Sequence, residues 1–176
     1  IRVSLVGSEM CIRDRAHEVV SALTDLNRYP DGNASAFKEK VASSFDVLPT
    51  MVTVGNGSND IIEFIAKCFL SFGDTAIYSK HGFAIYPLAI KASGAEAIKV
   101  EAKNWGHDLE AMADAIQENT KVIFIASPNN PTGTALTLEE IEKFLTKIPD
   151  NIVVLIDQAY FEYVENEEFK VPFKLV

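Results

Sequence analysis

The sequence predicts an α/β fold, with a mainly parallel sheet held between helices in three layers (αβα) and truncated soon after a fifth strand. Three observations carry this expectation. Apolar runs of strand length recur near 51–54, 75–79, 95–101, 121–126 and 152–156, and their Val and Ile content suits buried strands. Segments with helical periodicity fill the intervals near 58–72, 83–93, 108–118 and 137–147. Strands joined through helices of that length need right-handed crossovers, which give a parallel sheet covered on both faces.

Taken in chain order, residues 1–15 (IRVSLVGSEMCIRDR) follow neither a helical nor a strand period. Glu9, Arg13, Asp14 and Arg15 interrupt any signal-peptide core. The string reads as non-family, adapter-like sequence joined to a truncated frame. From Ala16 a short helix is expected, with Val19, Val20 and Leu23 on one side. Pro30 and Asp31-Gly32 mark a turn, and Phe37, Val41 and Phe45 then space a helix over 34–45. The clearest helix follows Gly57: Ile61, Ile62, Phe64, Ile65, Cys68 and Phe69 form an apolar stripe, and Ser58 is a candidate N-cap. On that stripe Cys68 reads as a packed thiol. Thr137 with Glu140 makes a capping-box pattern before Leu138, Ile141, Phe144 and Leu145.

Composition narrows the function classes. The 176 residues carry a net charge of -9, which argues against a nucleic-acid surface. Cys11 and Cys68 are too few for a disulfide framework, and their spacing fits no metal knuckle. No run reaches the roughly 18 apolar residues of a membrane span. No metal and no membrane partner is expected, and a cytoplasmic location is the default.

The polar motifs that directly follow apolar runs hold the chemistry. Loops leaving the carboxyl ends of parallel strands share one rim, where ligands bind. In Gly55-Asn56-Gly57-Ser58-Asn59-Asp60, the glycines allow a sharp turn into a helix whose free N–H groups suit a phosphate. Asp60 stands where a dinucleotide fingerprint needs a third glycine. In Ser127-Pro128-Asn129-Asn130-Pro131-Thr132-Gly133, Asn130 reads either as part of a connecting turn or as an amide aimed at a ligand oxygen, with a cis Asn130-Pro131 bond conceivable. Asp157 ends its strand and reads either as a loop or capping residue or as the partner of a cation, because a desolvated carboxylate needs one. A phosphate cradle, an amide and a lone carboxylate with Tyr160 match pyridoxal 5'-phosphate, whose protonated ring nitrogen suits such an Asp. His81 and His107 read as solvated loop residues, and His17 as part of an exposed helix turn.

In order and spacing, Leu26-Asn27-Arg28-Tyr29-Pro30-Asp31-Gly32, the glycine motif, the Asn130 motif and Asp157-Gln158-Ala159-Tyr160-Phe161-Glu162-Tyr163 resemble the fold-type I, class I/II pyridoxal-phosphate aminotransferases, and among these the histidinol-phosphate group. The resemblance covers about Ala16 to Phe169. It implies that 16–176 is part of the cofactor-binding large domain. Ser58 and Asn59 would hold the phosphate, and Phe83 would stack on the pyridine ring unless it is ordinary core packing. Asn130 and Tyr160 would bond the ring hydroxyl, and Asp157 the ring nitrogen. Tyr29 would reach the phosphate of a neighbouring subunit, which implies a homodimer. The implied reaction moves an amino group between histidinol phosphate and 2-oxoglutarate, yielding glutamate, in histidine biosynthesis.

The chain also departs from the pattern. The family's Schiff-base Lys lies beyond the Asp-x-Ala-Tyr segment, so no catalytic residue is assigned and the chain as given is expected to be inactive. Ser79-Lys80 lacks the family's surrounding Gly and Arg pattern. Aromatic amino acid aminotransferases and threonine-phosphate decarboxylases share closely similar motifs, and a non-catalytic cofactor-binding remnant is the alternative from another class.

Overall fold

The computed structural model describes residues 27–169 and, before them, Ala16, Val19, Val20 and Leu23. It divides into two compact units, with the boundary between Val54 and Gly55. In the first unit, Ala16, Val19 and Val20 are helical, and Val19, Val20 and Leu23 are exposed; the rest of the helix expected there, His17 included, lies outside the described residues. Helix α1 (Ser35–Phe45) starts where expected. Its first turn is tied by Asp31, whose carboxylate accepts from the N–H groups of Asn33 (2.9 Å) and Ser35 (2.7 Å).

The strand expected at 51–54 does not form. Pro49–Met51 closes a 3₁₀ turn, and the Val52 N–H donates to the Pro49 carbonyl at 3.1 Å. Met51 and Val54 stay exposed. A strand needs a neighbour for its N–H and C=O groups, and the described residues supply none to this run.

The second unit is a four-stranded sheet of order β2-β1-β3-β4, parallel throughout. Its strands are β1 (Thr75–Ser79), β2 (Glu96–Val100), β3 (Thr120–Ala126) and β4 (Val153–Asp157). The helices between and around them are α2 (Gly57–Phe69), α3 (Ile85–Ala92), α4 (Leu109–Asp114) and α5 (Leu138–Leu145). Side chains alternate across a strand, and β3 shows the consequence. Val122, Phe124 and Ala126 pack with Ile62, Ile65 and Ala66 of α2 and with Tyr86, Ala89 and Ile90 of α3. Ile123 and Ile125 face the opposite layer, against Met112 of α4 and Ile141 and Phe144 of α5. The three-layer expectation therefore holds.

Two helix ends differ in outcome. The capping box is present: Thr137 Oγ1 accepts from the Glu140 N–H (3.2 Å) and Glu140 Oε2 accepts from the Thr137 N–H (2.8 Å). Cys68, expected as a packed thiol, is exposed. The buried residues of α2 are Ile61, Ile62, Ile65 and Ala66. At 3.6 residues per turn, an arc centred between Ile62 and Ile65 leaves Cys68 on its flank.

Connections leave the sheet in opposite directions from its two central strands. β1 leads through α3 to the β2 edge, whereas β3 leads through α5 to the β4 edge, and the two helices lie on opposite faces. The carboxyl ends of β1 and β3 thus flank a topological switch point. Phe124, fully buried between the sheet and the layer formed by α2 and α3, should be a main support. Phe124→Ala is expected to lower the unfolding free energy by about 3–5 kcal/mol, read by urea unfolding. A loss within about 0.5 kcal/mol, the range of surface substitutions, would contradict this packing.

Candidate active site

The rim beyond the carboxyl ends of β1, β3 and β4 gathers most of the motif residues. Asp157 closes β4 and lies in register with Ala126 of β3, and its carbonyl accepts from the Ser127 N–H at 3.0 Å. The residue is buried, at 8% exposure. Oδ2 accepts from the Tyr86 hydroxyl at 2.9 Å and Oδ1 from the Ala159 N–H at 3.1 Å. Burial pushes the Asp157 carboxyl above the usual Asp range, and the Ala159 and Tyr86 bonds pull it partly back. Tyr86 is itself fully buried, with its ring stacked on Phe124 at 5.1 Å. Burial first, and then the adjacent Asp157 charge, push its hydroxyl up, so it remains a donor.

Tyr86 was not singled out by the sequence. Its signal was faint: a hydroxyl-bearing ring one helical turn after Phe83, on the face of α3 that enters the core. Phe83 itself is half-buried and meets the Tyr86 ring edge-on at 5.9 Å.

The loop after β3 carries Asn130, whose Nδ2 donates to the Tyr160 hydroxyl at 3.3 Å. The two residues expected to share a ligand oxygen are therefore side by side, with Tyr160 40% exposed. Both Ser127-Pro128 and Asn130-Pro131 are cis. His107 departs from its expected solvated place, being 8% exposed. The Ala126 N–H and carbonyl lie 3.0 and 2.9 Å from His107 Nε2. β1 pairs with β3 only as far as Tyr78 opposite Phe124, so the ring meets backbone groups left without a ladder partner. Burial lowers the affinity of that imidazole for a second proton.

The glycine motif opens α2. Gly57 has φ +75, in the left-handed region that favours glycine, and a Cβ on Gly55 would meet the Asp60 Cβ at 2.9 Å. The helix begins at Gly57 with Asn56 at its N-cap, so Ser58 lies inside the first turn and is not the cap. The Asp60 carboxylate reaches back over that turn and accepts from the Asn56 N–H and Nδ2, both at 2.9 Å, while Asn56 at the N-cap makes no side-chain capping bond. First-turn N–H groups have no intrahelical acceptor, and the helix dipole favours an anion beside them. Ser58 and Asn59 are both half-buried, and Asn59 Nδ2 donates to Glu63 Oε1 at 3.1 Å. Tyr29 belongs to the first unit, where it is fully exposed. Lys80 pairs with Glu101 at 2.8 Å.

A model of the class I and II aminotransferases matches residues 9–174. The chain belongs to that family. As a class I/II aminotransferase sequence it is 48% identical over 151 residues to histidinol-phosphate aminotransferase 2 of Hydrogenovibrio crunogenus, covering 86% of this chain and 40% of that one. It is 51% identical over 150 residues to histidinol-phosphate aminotransferase 1 of Mannheimia succiniciproducens, covering 85% and 41%. The chain thus spans about two fifths of the length of these curated relatives. Among solved structures, the histidinol-phosphate aminotransferase of Sinorhizobium meliloti in complex with pyridoxal-5'-phosphate superposes with a TM-score of 0.85 at 21% identity, over 90% of this chain and 43% of that one. The L-threonine-O-3-phosphate decarboxylase of Porphyromonas gingivalis gives 0.79 at 23% identity, over 97% and 50%. At those identities the two structures establish a shared aminotransferase fold.

Asp157 should leave a signature in stability against pH. Its folded value is raised, so between the ordinary Asp value of about 3.9 and the folded value the native chain retains a proton that the unfolded chain has lost. Stability contributed by this group is therefore lost as pH rises through that window. Asp157→Asn removes the ionisation, and the variant is expected to be more stable than the parent at pH 7, with the gap closing toward pH 3. Urea unfolding of both proteins across that range checks the sign. A variant less stable at pH 7 would show that the carboxylate is net stabilising.

Proposed function

We propose that this chain is the cofactor-binding part of a pyridoxal 5'-phosphate-dependent histidinol-phosphate aminotransferase. The whole enzyme transfers an amino group between histidinol phosphate and 2-oxoglutarate, with glutamate as the product amino acid, in cytoplasmic histidine biosynthesis. Residues 16–176 belong to its large domain. Identities near one half to histidinol-phosphate aminotransferases support the substrate assignment. The single observation that carries the cofactor assignment is Asp157, a buried carboxylate with both oxygens held and its ionised form disfavoured by desolvation.

The residues present fit the cofactor. A carboxylate in that state gains from a cation, and a protonated pyridine nitrogen is one. The first turn of α2, with Ser58 and Asn59, offers N–H donors and a favourable dipole to a phosphate. Phe83 presents a ring to a planar heterocycle, and Asn130 and Tyr160 present adjacent polar groups to its hydroxyl oxygen. Pyridoxal phosphate supplies an electron sink for the carbanion formed beside the substrate nitrogen. Asp157 would hold a proton on the ring nitrogen, which would keep that sink deep. Tyr86 fixes the orientation of the carboxylate through Oδ2. Tyr29, exposed on the first unit, contacts the phosphate held by a second subunit, which makes the working enzyme a homodimer.

Two outcomes follow for activity. In the complete enzyme Asp157→Ala should lower kcat about 100-fold or more, equivalent to about 3 kcal/mol of transition-state stabilisation. Steady-state kinetics with histidinol phosphate measure it, and near-normal kcat would leave Asp157 a structural residue only. The 176-residue chain alone should not transfer the amino group faster than free pyridoxal phosphate does, because the covalent step needs an amine that the resemblance locates outside it. Turnover by this purified chain above the free-cofactor rate would refute its reading as a part.

A further inference from the structure

Among the described residues, two buried polar side-chain atoms have no hydrogen-bond partner: His107 Nδ1 and Asn129 Oδ1. Asn129 is 3% exposed, and its amide has an unusual placement. Nδ2 donates to the His81 carbonyl at 2.9 Å and to Thr132 Oγ1 at 2.8 Å. His81 lies in the loop after β1, whereas Asn129 and Thr132 lie in the loop after β3. The first bond therefore spans the switch-point crevice between the two central strands. Its ends are well anchored. On one side the Asn129 N–H donates to the Thr134 carbonyl and the Gly133 N–H to the Asn129 carbonyl, each at 2.8 Å. On the other the Gly82 N–H donates to Ser79 and the Tyr86 N–H to Phe83, at 2.8 and 3.1 Å.

We propose that Asn129 is a positioning residue: by clasping the His81 carbonyl it ties the loop that carries Phe83 to the loop that carries Asn130, so that a ring to stack on and an amide to meet a ring hydroxyl are held in fixed relation for a flat, phosphorylated heterocycle. The proposal rests on the reading of Phe83 and Asn130 as cofactor-binding residues. Phe83 lies two residues beyond the clasped carbonyl and Asn130 is the next residue after Asn129, so each bond to Asn129 is transmitted over one or two peptide units. The chemistry also selects the side chain. Two acceptors, a carbonyl and a hydroxyl oxygen, converge on one nitrogen with two hydrogens. A carboxylate of the same shape would turn an oxygen toward the His81 carbonyl and repel it. The unpartnered Oδ1 follows from directing both hydrogens at the loops.

The test separates the clasp from the cofactor reading. Pyridoxal phosphate is titrated into the parent, Asn129→Ala, Asn129→Asp, Phe83→Ala and the Asn129→Ala/Phe83→Ala double variant. Binding is read from quenching of Trp105, the one Trp in the chain, whose ring lies 4.9 Å from that of His81. Asn129→Ala and Asn129→Asp are each expected to weaken binding about tenfold, as loss of a buried hydrogen bond does. The double variant should bind within about threefold of Phe83→Ala alone, since coupled residues are not additive. Without ligand, hydrogen exchange of Asn129→Asp should quicken in 81–84 and 130–133 together while 122–125 stays protected. Parent-like binding by Asn129→Asp overturns the proposal, as do losses that multiply in the double variant or exchange that is unchanged in either loop. If Phe83→Ala binds like the parent, the stacking role fails first and the positioning role falls with it, whatever the exchange shows about the clasp.

Discussion

Asp157 is a buried residue, 8% exposed, at the end of an apolar strand, and an ionisable group so placed must be partnered. Much of the second unit serves that requirement. Tyr86 reaches Oδ2 only because α3 packs on the Phe124 face of the sheet and stacks the two rings. The Ala159 N–H reaches Oδ1 because the chain turns immediately after β4. The register of β3 with β4 then brings the Ser127 loop against the Asp157 backbone. Helix packing, ring stacking and strand register all converge on one side chain. Both protein bonds favour the charged form, yet burial prevails and the carboxyl stays above its usual range. A carboxylate left in that condition is poised to gain from a cation.

The sheet order explains why the remaining groups collect nearby. Because β1 and β3 are neighbours whose crossovers depart to opposite faces, their following loops diverge and leave a crevice at the carboxyl rim. Phe83 comes from one loop and Asn130 from the other, and the Asn129 bond to His81 ties the two together. His107 meets the β3 backbone just beyond the reach of β1, where Ala126 has no ladder partner on that side. Burial, which lowers the affinity of His107 for a second proton, fits this role, since its bonds run to backbone groups and to no carboxylate.

Sequence patterning revealed the elements whose cause is local. Among the described residues, strands β1–β4 and helices α1–α5 follow from apolar periodicity, and the Thr137–Glu140 box follows from two residues at fixed spacing. The 51–54 run misled because four apolar residues look like a strand whether or not a partner strand is in reach. Cys68 misled because the stripe on α2 is wider than the arc that meets the sheet. In the site, residues that end a strand or follow a turn, such as Asp157 and Asn130, announce themselves by position. Tyr86, Asn129 and His107 act through contacts with residues 71, 48 and 19 positions away respectively. A single sequence carries no local mark of such pairings, and a Tyr or Asn in these places reads as ordinary core or turn.

The charge pair between Asp157 and a ring nitrogen is the claim on which the chemistry turns. It is tested most directly by nitrogen-15 NMR of pyridoxal phosphate labelled at the ring nitrogen and bound to the protein, followed from pH 5 to pH 9. A buried carboxylate beside that nitrogen should keep it protonated throughout, with a chemical shift that does not move, while Asp157→Asn releases the proton within the range. A bound ring nitrogen that titrates like the free cofactor in the parent protein would contradict the pairing, and with it the assignment of Asp157 as the centre of the site.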